Sequence, residues 1–346
     1  MRFNYSIVRN FRNFNGPELK VKWDPGINLI LGPNGSGKTN LLESLSIMTG
    51  WGAFSKTANV ISWNSNNFRG FVGGELSGEE NFTMTANISS KISLRLNDKA
   101  ISFTDLRLAI PSVIFMTGGA NLIDGSPSAR RLFIDRLCSL FVPPYAKRLA
   151  EFKYIMRTRI ALLKQGKSID RTTIPYCKLG GWIMDTRRKI TEQLKAIMPQ
   201  DKFTLNFLPA LEISGEEYLQ RALHENFIRE RHAIRPINGP SYDELLITLC
   251  ENNKLASEAL SRGQKRRLIL YMIIMAGKLI EQKLKRKPVL LFDDLTAELD
   301  SEGREFTYKQ LVKTGWQVFI TAPEKPFATR KKLGGLMLES GKPKEM

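Results

Sequence analysis

The sequence predicts an α/β protein. Apolar runs with the length of buried strands occur at Ile27–Leu31, Pro288–Asp294 and Gln317–Thr321. In the middle of the chain, the apolar residues of segment 149–163 recur at three- and four-residue steps, as they do on one face of an α-helix. Strand-like runs near both ends and a helical middle therefore indicate a sheet with flanking helices.

The first strand leads into a phosphate-binding loop. Residues 32–39 read Gly-Pro-Asn-Gly-Ser-Gly-Lys-Thr, and a helical stretch follows at 40–47, which is the context that this motif requires. Backbone N–H groups in such a loop point at an anion, and the positive end of the helix adds to the field. We expect Lys38 to reach the outer phosphates and the Thr39 hydroxyl to hold Mg²⁺. The residues expected to contact a nucleoside triphosphate here are Gly32, Asn34, Gly35, Ser36, Gly37, Lys38, Thr39 and Asn40.

The charge balance favours a polyanionic partner. The 346 residues include 52 Lys and Arg and 34 Asp and Glu, a formal net charge of +18. Nucleic acid and an anionic membrane surface both fit this surplus, and a generally basic protein is the alternative. The longest apolar stretch, Leu268–Ala276, is too short to span a membrane, and the N-terminus lacks a signal-peptide core. Three scattered cysteines and two histidines offer no metal-binding pattern, so we expect a cytoplasmic protein that does not bind membranes.

More than half of the net charge lies in one fifth of the chain. Residues 130–202 contain 17 Lys and Arg and 6 Asp and Glu, a net charge of +11. A basic helix face is usually just solvated, but the bias in sign favours a surface that follows phosphates. The residues expected to contact nucleic acid on this surface are Arg130, Arg131, Arg148, Lys153, Arg157 and Arg159.

The strand at 288–294 ends in two carboxylates. In phosphate-loop proteins we expect such a strand beside the loop's own strand, so that Asp293 meets the metal through water. Asp294 is then placed to orient or deprotonate the water that attacks the γ-phosphate. Lys38, Asp293 and Asp294 are therefore the candidate catalytic residues.

Three further segments complete the expected nucleotide site. Ser261-Arg-Gly-Gln264 opens a long helical run and presents N–H donors to an anion. Because the phosphate loop already serves one nucleotide, this helix start is best explained as covering the nucleotide of a partner subunit. Residues 296–300 are suited to crossing that interface, and Thr321 to sensing the γ-phosphate. The nucleotide-contacting residues expected from these segments are Ser261, Arg262, Gly263, Gln264, Asp300 and Thr321.

The order of these motifs resembles that of ABC-type ATPases in the branch of Rad50 and the chromosome-maintenance proteins. Within that branch, nearly the whole chain resembles the RecF family. The resemblance rests on Phe11–Phe14, Gly32–Glu43, Gly125–Asp135, Ser261–Arg266, Leu290–Asp294 and Gln317–Thr321. The block Gly125–Asp135 is the most family-specific, because phosphate loops occur in many other ATPases.

The resemblance implies an ABC-type P-loop ATPase head built from residues 1–115 and 286–346. It implies a mostly helical second lobe, residues 116–285, that carries the signature motif and the basic surface and has no long coiled coil. The implied cofactors are ATP and Mg²⁺, and the implied assembly is an ATP-dependent homodimer on double-stranded DNA near gaps. Members help RecR and RecO to load RecA, and hydrolyse ATP slowly. Arg12 matches a position that contacts nucleotide in related ATPases.

Three positions depart from the family or its relatives. Ser241 and Tyr242 stand where the family usually has His and Arg, so a DNA or interface role of that pair is not carried over. Asp294 is one methylene shorter than the Glu of faster relatives, which predicts slow turnover. A diverged paralogue whose partner is a protein or a transporter, rather than DNA, stays open as an alternative. A Rad50-like clamp would need long heptad arms, for which there is no room.

Overall fold

The computed structural model describes residues 1–54, 61, 69–78, 80–116, 122–199, 202–210, 215–296, 299–327, 333–339 and 341–344. The chain forms two compact units, the first comprising Met1–Gly118 and Ser261–Met346 and the second Gly119–Leu260.

The described residues in the N-terminal part of the first unit form eight strands and two helices. In chain order these are β1 (Arg2–Arg9), β2 (Leu19–Lys22), β3 (Ile27–Leu31), α1 (Lys38–Met48), β4 (Gly70–Ser77), β5 (Asn81–Ile88), β6 (Ile92–Leu96), β7 (Lys99–Ala100), α2 (Phe103–Ala109) and β8 (Ser112–Phe115). The second unit contains α3 (Pro127–Phe141), α4 (Tyr145–Lys164), α5 (Asp170–Ala196), β9 (Phe203–Leu208), α6 (Glu216–Glu225), α7 (Phe227–Ala233), β10 (Glu244–Leu249) and α8 (Ala256–Ala259). The chain then returns to the first unit with α9 (Arg262–Leu284), β11 (Val289–Asp293), α10 (Ser301–Thr314), β12 (Val318–Ala322), β13 (Gly334–Glu339) and β14 (Lys342–Lys344).

The described strands of the first unit form two six-stranded sheets. One is antiparallel in the order β2-β1-β4-β5-β6-β7, and the other has the order β14-β13-β3-β12-β11-β8. In the second sheet β13, β3, β12, β11 and β8 are parallel, and β14 pairs antiparallel with β13. Helix α1, buried from Leu41 to Met48, contacts strands of both sheets and lies between them. Every residue of β3, β11 and β12 is buried, as expected for parallel strands covered on both faces.

The strand that carries Asp293 does not lie beside the strand that precedes the phosphate loop. β12 pairs with β3 on one side and with β11 on the other, so it separates them. The prediction of adjacent strands was therefore wrong. Chain order does not fix sheet order when parallel strands are joined by crossovers, and the strand that ends at Thr321 takes the central place.

The second unit is mostly helical, with β9 and β10 as its antiparallel pair. Its helices are tied together by buried charges. Arg187 of α5 donates hydrogen bonds to the carboxylates of Asp135 on α3 and Asp243 before β10. The longest described helix, α5, has 27 residues, so no described helix forms a long coiled-coil arm. None of the described helices is long and apolar enough to cross a membrane.

The division into units differs from the expected boundary at residue 285. Helix α9, which begins with the Ser261–Gln264 motif, belongs to the first unit. Its buried apolar face packs against β8 and α10. A Cβ added to Gly277 would lie 2.3 Å from the ring of Trp316, so the helix packs closely on the segment that leads into β12. The fold is thus the expected mixed-sheet head and helical second lobe, with the signature helix packed on the head.

Candidate nucleotide-binding site

The phosphate loop joins β3 to α1 and has the conformation that its glycines permit. Gly37, the residue before α1, has φ 102°, in the region that favours glycine. A Cβ there would lie 2.5 Å from the side-chain nitrogen of Asn13, so an L side chain would strain the backbone and displace Asn13. The loop therefore curls onto the N-terminus of a helix that begins at Lys38, as an anion site requires.

Lys38 is held across the loop. Its Nζ donates to the carbonyl oxygens of Gly32 at 2.8 Å and Pro33 at 2.9 Å. Burial lowers the pKa of the Lys38 ammonium group, while the carboxylates of Asp294 and Asp293 act to raise it. The side chain is therefore a cation positioned at the loop and close to both acids at the end of β11.

Two threonines meet the carboxylate of Asp293. Thr39 Oγ1 donates to Asp293 Oδ1 at 2.9 Å, and Thr321 Oγ1 donates to the same oxygen at 2.8 Å. The three side chains come from α1, β11 and β12, and the pairing of β12 with β11 places Thr321 opposite Asp293. Hydroxyl and carboxylate oxygens at this spacing are the ligands that Mg²⁺ prefers, so Thr39 and Asp293 could hold that ion directly or through water.

Asp294 has a fixed and uncommon backbone conformation. Its φ of 54° is left-handed, which Asp tolerates better than most residues. Its backbone N–H donates to Thr321 Oγ1 at 2.9 Å. Thr321 thus positions both aspartates, because its hydroxyl donates to the carboxylate of Asp293 and accepts from the backbone N–H of Asp294.

These residues line one cleft with a volume of about 270 Å³. The described residues around it are Asn34, Gly35, Gly37, Lys38, Thr39, Asn40, Asp293, Asp294, Thr321 and Pro323. All but Pro323 were expected from the sequence. Within the loop, the buried hydroxyl of Ser36 has no hydrogen-bond partner among the described residues. A buried hydroxyl beside such a loop fits an acceptor such as a phosphate oxygen. The residues present therefore fit a Mg²⁺–triphosphate.

Arg12 lies against α1. Its guanidinium forms two hydrogen bonds with the buried carboxylate of Glu43, at 2.8 and 2.9 Å, and Glu43 also accepts from the N–H of Phe54. Arg12 is not among the described residues that line the cleft. Contact between Arg12 and nucleotide stays a prediction, and its visible role is to anchor the loop after β1.

Asn13 was missed by the sequence analysis, although it belongs to the Phe11–Phe14 motif. Its Nδ2 donates to the carbonyl oxygen of Ser36 at 3.3 Å, and its Oδ1 accepts from Asn40 at 2.7 Å. The N–H of Gly341, in the turn between β13 and β14, donates to the same Ser36 carbonyl at 3.0 Å. Segments from near both ends of the chain therefore hold the phosphate loop in place at the carbonyl oxygen of Ser36.

The signature residues form a helix N-terminus outside this cleft. Ser261 caps α9: its hydroxyl accepts from the N–H of Gln264, whose side chain accepts from the N–H of Ser261. Asp300, in turn, caps α10 by accepting from the N–H of Gly303 at 2.7 Å. Residues 261–264 and 300 are not among the described residues that line the cleft. One chain by itself therefore does not bring the two halves of the expected site together.

Arg159, expected to face nucleic acid, is instead buried. Its side chain is 1% exposed and forms an ion pair with the equally buried Glu230 of α7, with Nη2 and Oε2 2.8 Å apart. Its Nη1 donates to the hydroxyls of Thr172 and Thr173. The prediction of an Arg159–phosphate contact was wrong. An unpaired cation at this position would be costly to bury, and an acid on another helix satisfies it.

Arg130 and Arg131 are also engaged within the second unit. Arg130 makes two hydrogen bonds to the carboxylate of Glu244, at 2.7 and 2.9 Å. Arg131 donates from Nη1 to the backbone carbonyl of Asp243 at 2.8 Å. The charge of Arg130 is neutralised by Glu244, so Arg130 contributes little to a phosphate-binding surface. Arg131 keeps guanidinium N–H groups that could donate to a phosphate.

The remaining expected cations lie on α4. Lys153 and Arg157 are exposed. Arg148 is half-buried with its guanidinium 4.3 Å from the ring centroid of Trp182, a cation–π contact that leaves its charge in place. These three are the best-placed candidates for phosphate contacts.

Comparison with known proteins gives consistent results. The RecF/RecN/SMC N-terminal domain family matches residues 4–341. The DNA replication and repair protein RecF of Leptospira interrogans is 30% identical over 345 residues, covering 94% of this chain and 92% of that protein. RecF of Heliobacterium modesticaldum is 26% identical, with 91% and 90% covered.

Solved structures share the fold. A structure described as the recombination mediator protein RecF-ATPrS in the RecFOR pathway aligns with a TM-score of 0.85 and 24% identity, covering 99% of this chain and 97% of that one. An Smc head bound to the C-winged helix domain of ScpA aligns with a TM-score of 0.56 and 15% identity over 99% and 96%.

Proposed function

The chain belongs to the RecF branch of the RecF/RecN/SMC N-terminal domain family, and we propose that it is an ATP-dependent clamp on double-stranded DNA in replication and repair. We base this mainly on the hydrogen bonds among Thr39, Asp293 and Thr321 beside the phosphate loop. Oxygen ligands from three elements converge there, and they match the needs of a Mg²⁺–triphosphate.

Nucleotide binding uses the loop and Lys38. Backbone N–H groups at the start of α1 receive the phosphates, and Ser36 and Thr39 supply hydroxyls. Lys38 exchanges the carbonyls of Gly32 and Pro33 for phosphate oxygens, which are stronger acceptors because they are charged. Bound Mg²⁺ supplies additional neutralisation of the phosphate charge.

Hydrolysis is slow in this proposal. Asp294 orients or deprotonates the attacking water, and Thr321 fixes the backbone from which its short side chain extends. Because the carboxylate reaches less far than that of a Glu, we expect long-lived ATP-bound states that suit a switch more than a motor.

ATP closes the clamp by bridging two copies of the chain. A Cβ added to Gly263 would meet no described atom within 4 Å, so nothing within one described chain requires glycine there. A partner's nucleotide approaching the N-terminus of α9 would require it. ATP then favours the dimer because donors of both copies bind one polyanion.

DNA binding follows from the cations of α4 in the second unit. Arg148, Lys153 and Arg157 would contact phosphates, so binding should depend on DNA structure more than on sequence and should weaken with salt. We place this activity in the cytoplasm, at gaps beside a duplex, with RecR as partner and RecO and RecA acting downstream.

The test is the affinity for a labelled duplex, measured by fluorescence anisotropy without nucleotide, with ADP and with ATP, at low and high salt. We expect salt-sensitive binding that appears with ATP. Lys38→Ala should abolish both this binding and ATP-driven dimerisation. Lys313→Ala, which removes an exposed lysine of α10, is the matched control and should behave like the unaltered chain.

Other outcomes have distinct meanings. If the affinity for the duplex did not depend on nucleotide, the net charge would explain binding only as a nonspecific attraction. That result would contradict the clamp proposal. ATP-driven dimerisation without DNA binding would support a diverged paralogue with a protein partner. Dimerisation retained in Lys38→Ala would rule out nucleotide as the bridge.

A further inference from the structure

Helices α3 and α4 of the second unit enclose a groove that the nucleotide site does not use. Its volume is about 400 Å³, enough for one large side chain and part of its neighbours. Arg131 and Leu132 face it from α3, and Leu149, Phe152, Lys153 and Met156 from α4. The α4 positions follow the steps of one helical face. We call this site the α3–α4 groove.

Part of the groove wall is apolar. Leu132 is 44% exposed, which is high for a leucine beside a cavity, while Phe152 is buried and packs on Tyr176 with ring centroids 4.9 Å apart. Leu149 and Met156 are half-buried. An apolar side chain inserted between Leu132 and Met156 would remove their exposed surface from water, which is favourable by about 25 cal/mol per Å².

Arg131 brings a cation with spare donors to the groove. Among the described residues its guanidinium makes one hydrogen bond, from Nη1 to the Asp243 carbonyl. Burial lowers the pKa of Arg131, and the charge of Arg187 lowers it further, while nearby carboxylates act to raise it. Its remaining N–H groups are suited to a carboxylate.

The acids beneath the groove, Asp135 and Asp243, share the single positive charge of Arg187. Arg187 donates to the carboxylates of both Asp135 and Asp243, and Asp135 also accepts from the hydroxyl of Tyr145. Lys153, exposed at the rim, forms no salt bridge with the described residues. The groove therefore combines apolar side chains with two cations, Arg131 beside these acids and Lys153 at the rim, which has no acidic partner among the described residues.

We propose that the α3–α4 groove binds an acidic peptide segment of a partner protein, with one apolar side chain between Leu132 and Met156 and carboxylates on Arg131 and Lys153. A groove with one apolar anchor and flanking cations is a recurrent way to recognise such a segment. DNA would use the cations but would leave Leu132 exposed, so the apolar wall favours a peptide. The inference does not depend on the nucleotide switch.

The test uses the full chain without nucleotide and three labelled synthetic peptides. One consists of aspartates around a central leucine, the second has serine in place of the leucine, and the third has lysines in place of the aspartates. We expect the first to bind at least about tenfold more tightly than either of the others, as losing an apolar anchor or a charge pair implies.

Surface variants then locate the site. Lys153→Ala and Leu132→Ser should each raise the dissociation constant of the first peptide about five- to tenfold. Lys147→Ala, an exposed cation of α4 that does not line the groove, is the matched control and should leave it unchanged. Melting temperatures of the three variants check that the fold is retained.

Equal binding of the first two peptides, no binding of any, or equal effects of Lys153→Ala and Lys147→Ala would overturn the proposal. A duplex that displaces the first peptide, and whose own affinity falls with Leu132→Ser, would show that the groove belongs to the DNA surface. Because no nucleotide or DNA is present in the peptide measurement, its failure would leave the clamp proposal untouched.

Discussion

Asp293 takes its position from two hydroxyls on different elements. Thr39 arrives with α1 and Thr321 with the central strand β12, and both donate to Oδ1 of Asp293. Thr321 also accepts a hydrogen bond from the backbone N–H of Asp294. At the scale of single residues, Thr321 is thus the common support of the two carboxylates that we propose to bind the metal and to activate water.

Removing the hydroxyl of Thr321 tests that role. In Thr321→Val we expect kcat for ATP hydrolysis to fall about 10- to 100-fold, because a hydrogen bond to a charged group contributes roughly 1.5–3 kcal/mol. Valine suits a buried strand, so the fold should persist. Thr307→Val, at a buried threonine of α10, is the matched control. An unchanged kcat would show that Asp293 is held without Thr321.

Substitutions of two arginines of α4 distinguish a role in stability from a role in DNA binding. Arg159→Ala leaves Glu230 buried without its partner and should cost about 3–5 kcal/mol of unfolding free energy in chemical denaturation. Arg157→Ala, two positions away and exposed, should change stability by less than about 0.5 kcal/mol. It should instead lower DNA affinity and reduce the salt slope by about 0.9 for one lost phosphate contact. If Arg159→Ala instead lowered DNA affinity while Arg157→Ala lowered stability, Arg159 would be assigned to the DNA-binding surface.

At the scale of elements, the phosphate loop is braced by segments far from it in sequence. The loop after β1, through Asn13, and the β13–β14 turn, through Gly341, both donate to the carbonyl of Ser36. These two hydrogen bonds fix the orientation of the peptide group between Ser36 and Gly37. The brace turns a local motif into a preorganised site.

Asn13→Ala removes one side of the brace. We expect the dissociation constant for ATP to rise about two- to tenfold, as the loss of roughly 0.5–1.5 kcal/mol implies, with little change in kcat at saturating ATP. Asn87→Ala, an exposed asparagine of β5, is the control and should leave both values unchanged. ATP titration by calorimetry checks the prediction, and an affinity equal to that of the unaltered chain would contradict it.

At the scale of the whole molecule, one chain holds two half-sites that do not meet. The cleft around Lys38 and the helix start at Ser261 both belong to the first unit, yet the residues of one do not line the other. Two copies are needed to complete the nucleotide site in our proposal, and the space in front of Gly263 is where the second nucleotide would approach.

Gly263→Leu tests this arrangement. Leucine favours helix over glycine by up to about 1 kcal/mol and its Cβ meets no described atom within 4 Å, so the melting temperature should hold or rise. ATP-driven dimerisation, followed by light scattering, should be lost because the side chain blocks the partner's nucleotide. Dimerisation that survives would place the interface elsewhere.

The nucleotide half-site could be predicted from local spacing. Residues 32–39 needed only a preceding strand and a following helix, and Ser261 and Gln264 form a capping box within four residues. Such motifs are decided by near neighbours, because backbone curl and helix capping extend over only a few residues. The ATPase head and the mostly helical second lobe, by contrast, were implied by the resemblance of the motif order to the RecF family.

The tertiary structure decided the features that depend on contacts between residues distant in sequence. The central place of β12, the attachment of α9 to the head and the brace at Ser36 all join segments from separate parts of the chain. Arg159 meets Glu230 across 71 positions. Helical periodicity shows which face is apolar, but a cation at the border of that face can turn inward wherever another element presents an acid. The sequence by itself therefore determined which chemistry the chain carries, and the packing of distant elements decided which charges remain to perform it.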